Sequence, residues 1–191
     1  MKAVIVAFDR FTDVDVFLPW DLLNRVRIRD KGFSVRIVGP GETHKSVAGL
    51  ELPMHGALDE CNDANLVYFS SGPGTRTLIK DEASMNRLRL NPDKQVICSM
   101  CSGALILASL GILEGLSATT YPSAVEELRG FGVEVEINKH LVTHGNVGTA
   151  AGCLAAVDLM GWAIEKIYGA EVRQAVIASV LPVGQGLACL Y

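Results

Sequence analysis

The sequence has 191 residues, a length typical of one compact domain covering residues 1–191. Hydrophobic residues make up 49% and charged residues 20%, which supplies enough apolar material for a packed core. The formal net charge of −4 gives no electrostatic case for a nucleic-acid partner, and no apolar run reaches the roughly 18–20 residues that span a bilayer.

Apolar strand patterns alternate with helical patterns along the chain. The first run, AVIVAF (3–8), is typical of a strand buried on both faces of a sheet rather than of a signal peptide. Six segments are predicted as strands, at 3–8, 33–41, 65–75, 95–100, 133–137 and 140–145, and a seventh, short strand is predicted at the start of SATTYPSAVEELRGFG. The predicted helices are 17–27, 84–91, 103–115, a segment from Ser123 with a capping-box spelling, a long helix over 147–169 and the beginning of the tail from Ala170. This alternation predicts a doubly wound, three-layer α/β sandwich with a mostly parallel sheet.

The cysteines are odd in number and widely scattered, which argues against a disulfide framework. The one close pair, Cys98 and Cys101, spells C-x-x-C, but a second such pair or a Cys/His pair at metal spacing is missing. We therefore predict no metal, and free thiols suit a reducing, cytoplasmic compartment. Cys153, inside the predicted long helix, is interpreted as a core residue.

Three strand ends carry polar or reactive residues. They are the segment 9–15, the loop Ser70-Ser71-Gly72-Pro73-Gly74, and the turn from Cys98 to Gly103. The carboxyl ends of parallel strands meet at one edge of a sheet, where ligands bind in doubly wound folds. We therefore expect these three segments to converge.

Cys101 stands where a buried strand turns into a helix. A thiol in such a turn lies near the positive end of the helix, which is expected to lower its pKa. Gly103 would let the helix pack closely behind the turn, and the Gly72–Gly74 loop could add backbone N–H donors for an oxyanion. The alternative is that Cys101 is a small buried hydrophobe, which is the usual role of a free cysteine.

Asp15 is a carboxyl between Val14 and Val16, and such apolar surroundings favour its protonated form. A protonated carboxyl could work with the Cys101 thiol as a general acid and base. Asp15 could equally be a helix N-cap, and Asp13 could fill either role. The residues alone leave these alternatives open.

Four segments together resemble the ThiJ/PfpI superfamily, and most of all its isocyanide-hydratase-like branch. They are QVICSMCSGALILASLGILEG, YFSSGPGT, TDVDVFLPWDLL and ATTYPSAVEELRGFG, in the order expected over roughly residues 1–170. The resemblance implies a flavodoxin-like sandwich of the class I glutamine-amidotransferase type, a homodimer and no cofactor. It implies that Cys101 is the nucleophile, that Asp15 is its acidic partner, and that the backbone N–H groups of Gly72 and Ser102 bind an oxyanion.

The sequence departs from other branches of this superfamily at its histidines. Ser102 directly follows the cysteine, where peptidase-like members carry histidine, and Tyr121 stands in TTYP where some members have T-T-H-P. His144 is the remaining histidine that could contact a ligand. Trp20 and Tyr121 are candidate substrate-pocket residues, and Leu18 replaces a glycine of the hydratase pattern, which alters the expected pocket shape.

These residues favour a cysteine-dependent hydratase that converts a small isocyanide to an N-substituted formamide, with Cys101 as nucleophile and Asp15 as proton donor and acceptor. One alternative is a glyoxalase- or deglycase-like enzyme acting on 2-oxoaldehydes. Another is a non-enzymatic oxidative-stress sensor or chaperone in which Cys101 is oxidised. A peptidase is favoured least, because the histidine partner is missing. The apolar tail, 186–191, is a further hypothesis for a dimer interface.

Overall fold

The structure, a computed structural model, describes residues 1–186. Residues 187–191, which include Cys189 and most of the tail predicted to form a dimer interface, lie outside the described residues. The strands in chain order are β1 (Lys2–Val6), β2 (Ser34–Gly39), β3 (Thr43–Lys45), β4 (Glu51–Pro53), β5 (Gly56–Ala57), β6 (Leu66–Phe69), β7 (Val96–Met100), β8 (Ser117–Ala118), β9 (Glu134–Val135), β10 (Leu141–His144) and β11 (Val147–Ala150).

Seven of these strands form one mostly parallel sheet in the order β10-β11-β7-β6-β1-β2-β5. Only β10 runs antiparallel to its neighbour among the described strands of this sheet. The residues of β6 and β7 are all buried, as expected for central strands covered on both faces. The strands β3 and β4 form a small hairpin, and β8 pairs with β9 in a separate parallel pair.

Helices cover both faces of the sheet. Their bounds are α1 (Asp13–Arg25), α2 (Thr75–Leu78), α3 (Glu82–Met85), α4 (Ala104–Ser109), α5 (Val125–Gly130), α6 (Ala156–Tyr168) and α7 (Ala170–Ala178). One buried apolar cluster joins α1, α6 and α7 to the sheet, and a second joins α4 and α5 to the opposite face. The three-layer, flavodoxin-like α/β sandwich predicted from the sequence is thus confirmed.

Several predicted elements differ from the observed ones. The predicted long helix over 147–169 is wrong in its first part, because 147–150 form strand β11 and the helix begins only at Ala156. The predicted helix 103–115 ends at Ser109, shortly before Gly111 adopts a positive φ of 74°. Ser123 does not cap α5, which begins at Val125 without a side-chain cap.

Two further boundaries bear on the site. The predicted helix 84–91 is reduced to the short α3, whereas α1 begins at Asp13, four residues before its predicted start. Asp15 therefore lies in the first turn of a helix. None of the helices described within residues 1–186 has both the length and the apolar character needed to span a bilayer.

Candidate active site

A cavity of about 330 Å³ opens at the carboxyl end of β6 and β7. Its walls include Asp15, Ser71, Gly72, Cys101, Ser102 and Cys153. The predicted convergence of the three polar strand ends is therefore observed. A wider, more open cavity of about 590 Å³ adjoins it at Tyr121, but its described lining contains neither thiol nor Asp15. The smaller cavity is thus where covalent chemistry can occur.

The Cys101 turn is held in a strained conformation. Cys101 has a φ of 48°, in the left-handed region that residues with a Cβ rarely adopt. The hydroxyl of Thr120 donates a hydrogen bond of 2.8 Å to the Cys101 carbonyl. A Cβ on Gly103 would lie 2.7 Å from the Ser70 carbonyl oxygen, so only glycine lets this turn approach β6 so closely. The turn directs the Cys101 sulfur into the cavity, with 5% of the residue exposed.

The backbone carbonyl of Asp15 is held by a hydrogen bond that Pro19, four residues later in α1, leaves it free to accept. Proline has no N–H, so the usual helical hydrogen bond from residue 19 to the carbonyl of Asp15 cannot form. The hydroxyl of Tyr68, on β6, donates a 2.6 Å hydrogen bond to that free carbonyl instead. This contact ties the first turn of α1 to the centre of the sheet.

The Asp15 side chain is fully buried and only half satisfied. The hydroxyl of Ser71 donates a 2.5 Å hydrogen bond to Oδ2. The other oxygen, Oδ1, has no hydrogen-bond partner among the described residues. A carboxylate oxygen of Asp15 and the sulfurs of Cys101 and Cys153 all lie within 4.8 Å of one another. An unpaired buried acceptor beside a thiol is placed to take its proton.

The structure distinguishes Asp15 from Asp13. Asp13 accepts a 3.3 Å hydrogen bond from the backbone N–H of Ala48, outside the cavity lining. The N-cap of α1 is Thr12, and neither aspartate fills that role. Asp15 is therefore the acid that faces Cys101.

The resting thiol is more protonated than the sequence suggested. The pKa of Cys101 is raised to about 12. Burial is the largest cause and the charge of Asp15 the second, while the backbone amide of Gly152 lowers this pKa. The expected lowering of this pKa by the helix is therefore wrong. Helix α4 has only six residues, and a burial cost plus a nearby negative charge outweigh the field at its start. Ionisation of this thiol requires an acceptor for its proton.

Gly72 and Ser102, whose backbone N–H groups are the predicted oxyanion donors, are in contact through the Ser102 side chain. The N–H of Gly72 donates a 3.2 Å hydrogen bond to the hydroxyl of Ser102, which is also 3.1 Å from the hydroxyl of Thr75. Gly72 has a φ of 143°, and a Cβ there would lie 2.2 Å from the Arg10 carbonyl oxygen. Both residues line the cavity beside Cys101.

The remaining predicted pocket residues are separated in space. Tyr121 lines the cavity and is 49% exposed. Trp20 is not among the described lining residues, and its ring lies 5.3 Å from that of His55. His144 is at the opposite end of the sheet, because it pairs with Val147 at the start of β11 and contacts the Ser117 hydroxyl at 3.1 Å. The prediction that His144 contacts a ligand in this cavity is not supported by its position.

Sequence reasoning missed Cys153, and it placed Ser71 in a polar strand end without giving it a role. Cys153 is half-buried, lines the cavity and follows β11 through the short turn Cys153–Ala155, so its interpretation as a core residue is corrected. Burial, followed by contact with Asp15, raises the pKa of this second thiol to about 11. The signal that could have found it was Gly152 directly before it, in a segment wrongly assigned to a helix.

Asp15, Cys101 and Cys153 form the described group that could hold a metal ion. Two thiols and one carboxylate are donors that a soft or borderline cation accepts. A metal would need both thiols deprotonated and would occupy the atoms that the covalent chemistry uses.

Comparisons with known proteins agree on the family. A family model described as DJ-1/PfpI matches residues 1–166. The chain is 26% identical to an isonitrile hydratase of Pseudomonas putida over 69% of this chain and 58% of that protein, which is less than two thirds of its length. It is also 26% identical to a deglycase of Pyrococcus horikoshii, over 87% of this chain and 98% of that protein.

Solved structures give the same fold at lower identity. A ThiJ/PfpI family protein from Pseudomonas syringae superposes with a TM-score of 0.83 at 22% identity, covering 95% of this chain and 75% of that one. Schizosaccharomyces pombe DJ-1 superposes with a TM-score of 0.80 at 17% identity, covering 95% and 100%. At these identities the likeness describes the fold.

Proposed function

The chain belongs to the DJ-1/PfpI family, and on that premise we propose that it hydrates a small isocyanide to an N-substituted formamide. The observation that carries the proposal is the unpaired Oδ1 of Asp15 beside the Cys101 sulfur in a small cavity. The similarity to an isonitrile hydratase supports the same chemistry. Cys101 is the nucleophile and Asp15 is the group that moves protons.

The first half of the reaction forms a covalent adduct. The Cys101 sulfur attacks the terminal carbon of the isocyanide as Asp15 accepts the thiol proton. An S–C bond forms, and Asp15 returns the proton to the same carbon, which gives a thioimidate. The proton moves only a short distance because the carboxylate and the sulfur lie within 4.8 Å of each other. The raised pKa of Cys101 makes this coupled transfer necessary.

The second half releases the product. Water adds to the thioimidate carbon, and Asp15 takes one of its protons and passes it to the substrate nitrogen. The C–S bond of the tetrahedral adduct then breaks as Asp15 carries the hydroxyl proton to the sulfur, and the formamide leaves. The backbone N–H groups of Gly72 and Ser102 are proposed to stabilise the substrate oxygen as it loses its proton, for which the Gly72 N–H must first leave the Ser102 hydroxyl. The overall change is the addition of one water to the isocyanide.

A deglycase- or glyoxalase-like activity is the second candidate. It is favoured by the alignment with the Pyrococcus horikoshii deglycase, which extends over almost all of that protein. The same sulfur would add to an aldehyde carbon, and Asp15 would move a proton between adjacent carbons. None of the described lining residues of the cavity is a histidine, so Asp15 would have to do this alone.

A substrate panel separates the two candidates. Purified protein is incubated with alkyl isocyanides and with methylglyoxal, and formamide and lactate are measured by NMR. We expect formamide production that falls at least about a thousandfold in Cys101→Ala, with a circular dichroism spectrum like that of the wild type. Lactate without formamide would replace the proposal with the second candidate. Equal turnover in the variant would refute both.

The homodimer implied by the family resemblance is also part of this proposal. Light scattering on the reduced protein measures the mass directly. A mass of twice 20.5 kDa is expected. A monomer that retains turnover would remove the dimer from the proposal and leave the chemistry intact.

A further inference from the structure

Two thiols reach the same cavity from neighbouring strands. Parallel pairing places Met100 of β7 opposite Ala150 of β11. Cys101 follows the first strand directly, and Cys153 follows the second after Gly152. Their sulfurs lie within 4.8 Å of each other and both residues line the cavity. The proposed hydration uses only one of these thiols.

The other described cysteines offer no such pairing. Cys61 and Cys98 are completely buried and do not line the cavity. Cys153 is half-buried, and the residue after it, Leu154, is 79% exposed. Cys153 thus lies where the cavity meets the surface, while Cys101 lies at its base.

We propose that Cys101 reduces small hydroperoxides and that Cys153 is its resolving thiol, so that the two close a reversible disulfide. The Cys101 sulfur attacks the outer peroxide oxygen, the O–O bond breaks, and an alcohol or water leaves with the thiol proton. Cys101 is then a sulfenic acid. The Cys153 sulfur attacks it, an S–S bond forms, the S–O bond breaks, and water leaves with the second thiol proton.

The electrons balance between the two thiols and the peroxide. Each thiol supplies one of the two electrons that reduce the hydroperoxide, and an external dithiol reductant returns them by thiol–disulfide exchange. Oδ1 of Asp15 has no partner, and an Asp15 oxygen lies within 4.8 Å of both sulfurs. It can accept the proton of each thiol in turn. This chemistry uses a different substrate from the proposed hydration and does not depend on it.

The Cys153 turn has room to close the pair. A disulfide requires sulfurs about 2.05 Å apart, so the turn must shift toward Cys101. Gly152 has a φ of 87°, and nothing lies within 4 Å of the position of a Cβ there. Glycine in open space gives this segment conformational freedom that the tightly packed Cys101 turn lacks. The movement is therefore expected on the Cys153 side.

The test is a product analysis after peroxide treatment. Reduced protein in a chelating buffer, which removes any metal from the thiols, receives about three equivalents of hydrogen peroxide, since sulfinic acid formation consumes two. We expect an intact mass lower by two hydrogen atoms and a cross-linked peptide that joins Cys101 to Cys153. In Cys153→Ser we expect oxygen addition at Cys101 up to the sulfinic acid, which dithiols do not reverse. Leu154→Ser, a neighbouring exposed substitution, should behave as the wild type.

Turnover gives a second readout that is independent of isocyanides. With dithiothreitol present, the wild type should consume hydrogen peroxide over many cycles, and Cys153→Ser at least about tenfold more slowly. If that variant fails to fold, Cys153→Ala is used with the same expectation. Sulfinic acid at Cys101 in the wild type without a cross-linked peptide would overturn the proposal. Loss of formamide production with normal disulfide formation would instead count only against the hydration.

Discussion

The turns after β7 and β11 are built on a similar plan and differ in which residue adopts the positive φ. Each strand ends, one residue adopts a positive φ, and a single short turn leads into a helix. In the first turn the positive φ belongs to Cys101 itself, whereas in the second it belongs to Gly152, just before Cys153. The helices then leave to opposite faces of the sheet, so a crevice forms between them.

This difference separates a fixed thiol from an adjustable one. The left-handed conformation costs a residue with a Cβ of order 1–2 kcal/mol, so surrounding contacts must hold the residue in that conformation. The packing of Gly103 on β6 and the hydrogen bond from Thr120 do this for Cys101. The Cys153 turn has no strain of this kind at its cysteine and is half-exposed. The first arrangement suits a nucleophile, and the second suits a partner that moves to meet it.

Removing the charge between the two thiols has the largest expected effect. Asp15→Asn should lower formamide production by about a hundredfold to ten-thousandfold, because no group then accepts the Cys101 proton. In this variant the Cys101 thiol should nevertheless react faster with iodoacetamide at pH 8, since the negative charge that raises the Cys101 pKa is gone. If the circular dichroism spectrum of the variant is native-like, unfolding cannot explain lower turnover together with faster alkylation.

The pH profile of alkylation sharpens this result. In the wild type the Cys101 pKa of about 12 predicts that alkylation rises about tenfold per pH unit from pH 7 to pH 10. In Asp15→Asn the profile should shift toward lower pH. Ser71→Ala is the control, because it removes a hydrogen bond to Asp15 and keeps the charge. Identical profiles in wild type and Asp15→Asn would contradict the proposed contact.

The first of these two turns was predictable from the sequence and the second was not. An apolar strand pattern ends at Cys101 and a largely apolar helix pattern follows, which is enough to predict a strand and a turn, while the reactivity of the thiol stays a prediction. The segment after His144 consists of small residues, which resemble a helix-packing face. In the structure Gly148 is small because the Trp162 ring of α6 lies 2.6 Å from where its Cβ would be. That contact is tertiary, so no local pattern reveals it.

The sequence predicted which strand ends meet at the site, but it did not predict which side chains around them make contact. Asp15 and Cys101 follow strands whose order in the sheet brings them together, so their meeting follows from topology. The roles of Tyr68 and Ser71 depend on which side chains face α1, and Trp20 faces His55 because of the way α1 packs. These are orientations of helices and rotamers, which a single sequence does not determine.

The third residue of each turn provides the next test. It is Gly103 after Cys101 and Ala155 after Cys153. Gly103→Ala should lower the free energy of unfolding by about 2–3 kcal/mol, because its Cβ would meet the carbonyl oxygens of Ser70 and Phe69 at 2.7 and 2.9 Å. Gly130→Ala, at the end of α5 with nothing within 4 Å, is the matched control and should be neutral or slightly stabilising. Urea denaturation measures both, and equal stability of the two variants would refute the close packing of the Cys101 turn.

The smallest effect isolates the backbone strain at Cys101. Cys101→Gly and Cys101→Ala both remove the thiol, but only alanine keeps a Cβ at a φ of 48°. Alanine is ordinarily the more stable residue, because glycine has more freedom to lose on folding. Here we expect the glycine variant to be more stable by about 0.5–1 kcal/mol, since relief of the left-handed conformation outweighs that loss. Denaturant midpoints in reducing buffer give the sign directly. At Gly152, which also has a positive φ, substitution by alanine should lower the free energy of unfolding by at least the same amount. If Cys101→Ala is instead more stable than Cys101→Gly, then Cys101 is not strained. The difference in backbone strain between the two turns would then no longer explain which thiol is the nucleophile.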